Sequence, residues 1–230
     1  MEDKLVYVVT ENKRENHDTV TLLLSCEKGS VPPFVPGQFI SIYFPELNTP
    51  EGKSYSISGP PGKETMEITI KGIGEFSNRL CAMKRGDRII GSSPYGFFYS
   101  EQDDTGLVMI AGGIGITPFR GMIAHTLEHE PGRSISLFHS ARTAADLIFD
   151  KELANVSGLA THYFVTRDTV SSPLITPRRM KPEDIVRNCR PELAEFFICG
   201  SIPFVRDLWH GLKSHGIAED RIYTEAFFSH

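Results

Sequence analysis

Three short segments of this 230-residue chain have the residue types and spacing to hold a phosphorylated or ring-bearing ligand. The first is Ala111-Gly112-Gly113-Ile114-Gly115-Ile116-Thr117-Pro118, set between the apolar run Leu107–Ala111 and a helical pattern. Glycines let a backbone approach a ligand closely. Pro118 at a helix start gives up only an amide that has no helical partner, and the remaining amides and the positive dipole end favour phosphate. A plain strand-to-helix turn fits the same residues, and the segment is not the G-x-G-x-x-G fingerprint. The second segment, Lys53-Ser54-Tyr55-Ser56-Ile57-Ser58, ends a β pattern. Its Tyr55 offers a flat apolar ring with a polar tip, suited to stacking. The third, Lys71-Gly72-Ile73-Gly74-Glu75-Phe76-Ser77-Asn78, again puts glycine before a helix, with Ser77 placed to cap it or to bind phosphate. Taken singly, the second and third segments are ordinarily a strand edge and a capped helix. Cys199-Gly200, at a strand end before another helix, is either a site cysteine or a small core residue.

Other signals point elsewhere. His125-Thr126-Leu127-Glu128-His129 matches the H-x-x-E-H pattern of some zinc peptidases. It offers no identifiable third ligand and runs into Glu130-Pro131-Gly132, so a polar helix end is the better reading and no metal is expected. Phe138-His139-Ser140-Ala141-Arg142 ends the second strand of the later half. An acidic group there would favour the ribose hydroxyls of NADH; Arg142 with Ser140 would instead accept a 2′-phosphate, and Asp146 would serve the opposite case. The choice between NADH and NADPH stays open. Arg178, Arg179, Lys181, Arg187 and Arg190 form a basic stretch that would steer an acidic partner or simply face solvent.

The elements that must position these residues change character near residue 102. Before it, short β patterns at Leu5–Thr10, Val20–Leu24, Gln38–Phe44, Ser54–Ser58 and Met66–Lys71 are separated by Pro and Gly turns. That spacing predicts an antiparallel barrel or sandwich. A helix is expected over Phe76–Met83, where Phe76, Leu80 and Met83 share a face. Glu101-Gln102-Asp103-Asp104 reads as a linker. Beyond it, strands at Leu107–Ala111, Ile135–His139, Thr161–Thr166, Phe196–Cys199 and Arg221–Tyr223 alternate with helices at Thr117–His129, Phe149–Asn155 and Pro203–Lys213. Alternation of that kind predicts a parallel, doubly wound sheet. The expected domains are 1–101 and 102–230.

Composition closes off several classes. Hydrophobic residues are 40% and charged residues 23%, a globular mix that excludes collagen, coiled coil and disordered tail. Net charge is −5, spread over both halves, without the basic stripe of a nucleic-acid binder. No apolar run reaches the roughly 18 residues of a membrane helix, and the charged start MEDKLVYVVTENKREN lacks a signal peptide's apolar core, so a cytoplasmic location is expected. Cys26, Cys81, Cys189 and Cys199 form no C-x-x-C pair, so ligands for a zinc ribbon or an iron–sulfur cluster are not expected.

The ordered set K-S-Y-S, G-x-x-S, G-G-x-G-x-T-P, C-G and a C-terminal E-x-F resembles the ferredoxin–NADP(+) reductase superfamily along essentially the whole chain. Pro36-Gly37-Gln38-Phe39 and Pro94-Tyr95-Gly96 are similar to its P-G-Q and G-P-x-G turns. The resemblance implies an FAD-binding antiparallel β-barrel over 1–101 and an NAD(P)-binding parallel α/β domain over 102–230. Tyr55 would pack on the isoalloxazine, Ser56 would hydrogen-bond near flavin N5, and Ser54, Ile57 and Ser58 would lie by the flavin. Lys53 and the groups around Ile70, Lys71, Gly72, Gly74, Glu75, Phe76 and Ser77 would hold the rest of FAD, its pyrophosphate above all. Gly112, Gly113, Gly115, Thr117 and Pro118 would hold the nicotinamide nucleotide, with Ser140, Arg142 and Arg167 toward its ribose. Cys199 and Gly200 would line the nicotinamide pocket, and Glu225 and Phe227 would close the site. Hydride would pass from nicotinamide C4 to flavin N5 over about 3–3.5 Å, with Ser56, Cys199 and Glu225 bounding the contact.

Two departures stand out. Lys53 replaces the usual arginine, keeping the charge but losing the planar fork, and Pro173–Arg179 lacks the family's G-R-I turn. The implied acceptor is a separate one-electron carrier such as ferredoxin. Reduction of free flavin or another small acceptor, and a non-catalytic binding subunit, are the alternatives.

Overall fold

The computed structural model describes residues 4–47, 49–102, 104–169 and 174–227; Asp103 of the expected linker and Pro173 lie outside these. Its contacts divide the chain into two units, 4–99 with 117–125, and 100–116 with 126–227.

The first unit is antiparallel. Its strands are β1 (Leu5–Arg14), β2 (Thr19–Cys26), β3 (Phe39–Tyr43), β4 (Lys53–Ser56), β5 (Met66–Lys71) and, after helix α1 (Glu75–Cys81), β6 (Arg88–Gly91). They pair in the order β4-β3-β6-β1-β2-β5. The two outer strands then meet. Just beyond β4, Ile57 bridges Ile68 of β5, and the Ser58 N–H donates to the Glu67 carbonyl at 2.8 Å. The sheet thus closes into a barrel and leaves no long free edge. Alternation supplies its core: Val20, Leu22 and Leu24 of β2 and Met66, Ile68 and Ile70 of β5 are all buried, each contributing roughly 1.5–3 kcal/mol relative to exposure.

The first part of helix α2 (Thr117–His129) belongs to this unit. Arg120 donates to the Glu67 carboxylate at 2.5 Å and to the Ser58 carbonyl at 3.3 Å. Gly121 lets the helix come so near that a Cβ there would stand 2.7 Å from the Gly59 oxygen.

The second unit is a parallel sheet. Its elements are β7 (Gly106–Gly112), β8 (Ile135–Ala141), α3 (Asp150–Leu153), β9 (Leu159–Val165), β10 (Ile175–Thr176), α4 (Pro182–Val186), β11 (Ala194–Ser201), α5 (Ile202–Ser214) and β12 (Ile222–Phe227). The order β10-β9-β8-β7-β11-β12 starts in the middle, runs to one edge and then resumes on the other side of β7. The switch point therefore lies between β7 and β11, where open α/β sheets bind ligands off the strand C-termini. Val205, Leu208 and Leu212 of α5 face the sheet, at the three- and four-residue spacing of one helix face. A buried carboxylate fixes the other end of this sheet. Glu195, 1% exposed, accepts from the Tyr223 hydroxyl at 2.9 Å, from Thr105 at 3.1 Å and from Ser100, with Arg133 3.7 Å away. Those partners satisfy a charge that would be expensive to bury alone.

The expected fold class is what the structure shows, and Met66–Lys71 and Thr117–His129 have the expected bounds. Differences lie in short elements. The expected strands leave out β6, which is four residues long, and two-residue β10; the helices leave out α4. None is long enough to show a period. β8 runs on to Ala141, two residues past the expected end, because His139 and Ala141 stay paired with Tyr163 and Val165 of β9. The helix expected over Phe149–Asn155 shrinks to Asp150–Leu153, since Phe149 takes a left-handed φ of 64° that a helix interior does not accept.

Candidate functional site

In the barrel unit, antiparallel pairing with β3 sets Tyr55 opposite Ile40 and Ser54 opposite Ser41. Residues two apart on a strand share a face, so Lys53 and Tyr55 point together toward α1. The Tyr55 ring stacks on Phe76 at 6.3 Å and 20°, and the Lys53 ammonium stands 5.6 Å from the Phe76 centroid. Burial holds the Tyr55 phenol protonated, well above its usual range, and nearby Cys81 adds to this. Phe76 leans in turn on Phe44 at 4.7 Å. The face so formed is aromatic with one cation at its margin.

The turn before α1 is tied down by its own serine. Ser77 Oγ accepts from the Ile73 and Gly74 N–H groups at 3.0 and 3.1 Å and donates to the Gly74 carbonyl. Its hydroxyl thus shapes the turn, and the N–H groups of Glu75 and Phe76, which no helix carbonyl can reach, are those left at the helix start. A Cβ on Gly74 would meet nothing within 4 Å, so the turn opens onto free space there. Lys71 is paired with Asp18 at 3.1 Å, and the Gly72 N–H donates to the Asp18 carbonyl at 2.8 Å. Ser58, Ile57, Ile70 and Ser56 are buried. Ser58 joins a chain of hydroxyls inside the barrel, 2.8 Å from Thr69, which is 2.9 Å from Thr21. The structure therefore gathers Lys53, Tyr55, Glu75, Phe76 and Ser77 around one turn, while Ser58 and Ile70 serve the core. A polar string not singled out from the sequence runs beside Ser54: the Tyr95 hydroxyl is 2.5 Å from Ser41 Oγ, itself 3.4 Å from Ser54 Oγ. Its only signal was the aromatic in the Pro94-Tyr95-Gly96 turn.

In the parallel unit, the glycine segment leaves β7 at the switch point, makes a 3-10 turn over Gly113–Ile116 and enters α2 without a side-chain cap. Its glycines have different tasks. A Cβ on Gly112 would lie 2.8 Å from the Phe204 ring, and one on Gly115 would lie 2.2 Å from the Cys199 carbonyl oxygen. Those two are small because the protein itself is there. Gly113 is different: its φ is +56°, and its Cβ position faces open space. The open side of Gly113 and the uncapped start of α2 suit phosphate.

Under the turn lies His139, fully buried, whose Nε2 donates to the Gly113 carbonyl at 3.0 Å. Burial lowers its pKa to about 4, against the opposing pull of that hydrogen bond. The nucleotide expectation at this strand end falls on Ser140 and Arg142 and not on His139, whose signal in the sequence is a histidine amid the apolar residues of a strand. Beside the turn, the parallel register sets Cys199 against Glu225 and Ser201 against Phe227. The fully buried Cys199 thiol donates toward Glu225 at 4.0 Å. Burial first, and Glu225 second, push that thiol well above its ordinary range, so it is a neutral donor and not a nucleophile. A Cβ on Gly200 would strike Phe204 at 2.9 Å.

At the C-terminal ends of β8 and β9 the exposed Arg142 and Arg167 are joined by the Arg167 N–H, which donates to the Arg142 carbonyl at 2.8 Å. Among the described residues neither guanidinium has an ion-pair partner. The nearby acids are engaged with backbone: Asp146 accepts the Thr143 N–H at 3.1 Å, and Asp168 accepts the Ala144 N–H at 3.2 Å. Of the basic stretch, Arg178 pairs with Asp184 and Arg179 with Asp207, so only part of that charge is unneutralised. A cavity of about 1030 Å³ opens beside Arg133, Arg187 and Arg190, at the strand N-termini. The switch-point rule places ligands at the opposite strand ends, and that argument outweighs size. Among the described residues no group of three or more metal-ligating side chains comes together, and no helix is long and apolar enough to cross a membrane.

Comparison with known proteins fits this geometry. Residues 109–209 match the oxidoreductase NAD-binding domain family. The FAD/NAD-binding domain of a nitric oxide dioxygenase from Vibrio cholerae superposes with a TM-score of 0.88 at 23% identity, over 99% of both chains. That family match covers less than half of the chain, and the superposition shows the two-unit fold. A ferredoxin NADP+ reductase from Neisseria gonorrhoeae, with FAD and NADP bound, gives a TM-score of 0.83 at 23% identity, over 99% of this chain and 100% of that one. A flavohemoprotein of Bordetella pertussis is 27% identical over 244 residues, covering 96% of this chain but 59% of that relative. The chain thus spans a little over half the length of the curated relatives it matches.

Proposed function

We propose that this chain is an FAD-dependent NAD(P)H oxidoreductase that delivers electrons to a separate one-electron carrier, with residues 1–101 as the flavin domain and 102–230 as the nicotinamide nucleotide domain. Bound FAD supplies a two-electron acceptor that can release electrons singly. The observation that carries the reading is that one chain holds both an aromatic face edged by Lys53 and, at the switch point of a parallel sheet, a glycine turn open at Gly113. The residues fit the two groups: Gly74 and Gly113 each leave free space where a side chain would stand, beside helix starts suited to phosphate.

The protein's own contribution is binding and orientation. Tyr55 offers a ring face, and its phenol stays neutral. Lys53 places a positive charge for the pyrophosphate, aided by the N–H groups of Glu75 and Phe76. Ser56 supplies a hydroxyl toward the flavin. Gly113 and the start of α2, with Thr117 and Pro118, take the nucleotide phosphates. The neutral Cys199 thiol donates to Glu225 and holds its carboxylate in place. Arg142 and Arg167, with no carboxylate on either, favour the 2′-phosphate of NADPH over NADH.

Anaerobic stopped-flow mixing of the purified protein with NADPH and NADH tests this. Flavin absorbance should bleach with both and faster with NADPH. Protein without flavin absorbance after reconstitution with FAD, or flavin that neither nucleotide bleaches, sinks the reading. Comparison of ferredoxin, a cytochrome and free flavin as oxidants then identifies the acceptor class, with the protein carriers expected to be the faster.

A further inference from the structure

We propose that His139 is a positioning residue for nucleotide reduction, holding the Gly113 carbonyl so that the glycine turn keeps the conformation that presents its N–H groups. The inference rests on the reading of that turn as the nucleotide-phosphate site.

The imidazole is fully buried within β8, between Ala111 of β7 and Tyr163 of β9 in the sheet register. Nε2 lies 3.0 Å from the Gly113 oxygen. A carbonyl only accepts, so Nε2 carries the proton and Nδ1 is a bare acceptor. Nδ1 is buried and has no hydrogen-bond partner among the described atoms. An unsatisfied buried nitrogen is unfavourable, and a core position of this size would be better filled by an aliphatic or phenyl group. The feature that distinguishes histidine here is the hydrogen bond from its other nitrogen. That bond ends on the one residue of the turn with a left-handed φ, +56°. It ends also on the one glycine of the 112–115 turn whose Cβ side is open. Gly112 and Gly115 are held from the side by Phe204 and the Cys199 carbonyl, while His139 holds Gly113 from below. The ring stays neutral at physiological pH, so it fixes the turn without adding a charge beneath a phosphate site. His139 touches no ligand in this role; it acts through the peptide it holds.

Two measurements test the inference on the full-length flavin-loaded protein. Long-range 15N–1H spectra of the histidine-labelled parent read the tautomer directly. A neutral Nε2–H form supports the contact, and an Nδ1–H form overturns it, whatever the enzyme's activity. Steady-state kinetics with NADPH and NADH then compare the parent, His139→Leu and His139→Gln. The leucine variant should raise KM about tenfold, with kcat within twofold and flavin content unchanged. Glutamine, which can donate to the same carbonyl, should recover most of the loss. A leucine variant with the parent's KM, or a KM that glutamine leaves as high as leucine does, refutes the positioning role. Should the leucine variant fail to fold, the tautomer and the glutamine kinetics still decide. Flavin in the parent that neither nucleotide bleaches would count against the functional reading, and the tautomer result would stand apart from it.

Discussion

The turn after β7 and the turn before α1 are alike in sequence, glycine-rich and leading into a helix, yet they are built in opposite ways. The first is held by backbone and buried groups: the Cys199 carbonyl under Gly115, the Phe204 ring against Gly112 and His139 beneath Gly113. The second is held by a side chain of its own helix, Ser77, and the groups beside it, Lys53 and Tyr55, are side chains on a neighbouring strand. A site made of backbone is rigid and hard to alter without damage to the fold. A site made of side chains can be retuned one residue at a time.

The largest effect should follow from a methyl group placed in the first turn. In Gly115→Ala the new Cβ would sit 2.2 Å from the Cys199 oxygen and 2.5 Å from its carbon, and backbone cannot swing aside as a side chain can. The strain is of the overpacking kind, about 1–3 kcal/mol or more. Thermal melts should show that loss, and flavin reduction by NADPH should slow by about five- to a hundredfold if the whole strain falls on the nucleotide-bound state, 1.4 kcal/mol being a factor of ten, with flavin still bound. Gly74→Ala is the matched control: open space and an extended φ of −160° predict an unchanged melting temperature. Equal damage from both would break the comparison.

The next effect is a pH dependence confined to the backbone-built turn. His139 has a pKa of about 4 in the fold and near 6.5 when unfolded. The unfolded chain therefore binds the proton more readily, and stability is lost as pH falls from 6.5 toward 4. The linked loss approaches about 3 kcal/mol across that window. Urea titrations at pH 7 and pH 4.5 should show this slope in the parent and a reduced one in His139→Leu. Identical slopes would mean that the histidine is not buried neutral.

How much of this was legible beforehand follows from what patterning can record. Strand β5 and helix α2 were readable to the residue because Met66, Ile68 and Ile70 alternate and because the glycines and Pro118 mark a helix start. β6 pairs through only four residues with β1, so its existence depends on partners distant in sequence. For the candidate site residues the sequence supplies only the residue type, and the structure adds what each one packs against. Gly112, Gly113 and Gly115 are indistinguishable as letters, and only the packing of Phe204 and Cys199 separates them. Ser58 and Ser77 stood out as polar residues near a ligand, whereas Thr69 and the Gly74 turn claim their hydroxyls. His139 was overlooked because its partner is a carbonyl 26 positions away, which no local motif announces.

A smaller effect tests the margin of the parallel unit. Arg142→Ala should raise KM for NADPH about tenfold and leave that for NADH within twofold, since exposed charge-assisted hydrogen bonds contribute on the order of 1 kcal/mol. Equal changes for both nucleotides would remove Arg142 from the specificity site.

The smallest effect lies at Lys53, where the side-chain-built turn should accept improvement. The ammonium already stands 5.6 Å over the Phe76 ring, two residues along the chain from the open turn at Gly74. Lys53→Arg keeps the charge, stacks as well on the ring, and adds a planar pair of donors matched to phosphate oxygens. Nothing in the backbone has to move, because residue 53 is the first of β4 and only partly buried. The expected gain is a few-fold tighter retention of FAD, read by flavin release during gel filtration and by the FAD dissociation constant, with the melting temperature of the apoprotein unchanged. Lys53→Ala should shift the same constant a few-fold the other way. A site of this construction should move in both directions. If arginine weakens FAD as much as alanine does, residue 53 is fixed by its surroundings, and the contrast with the turn after β7 fails where it should be clearest.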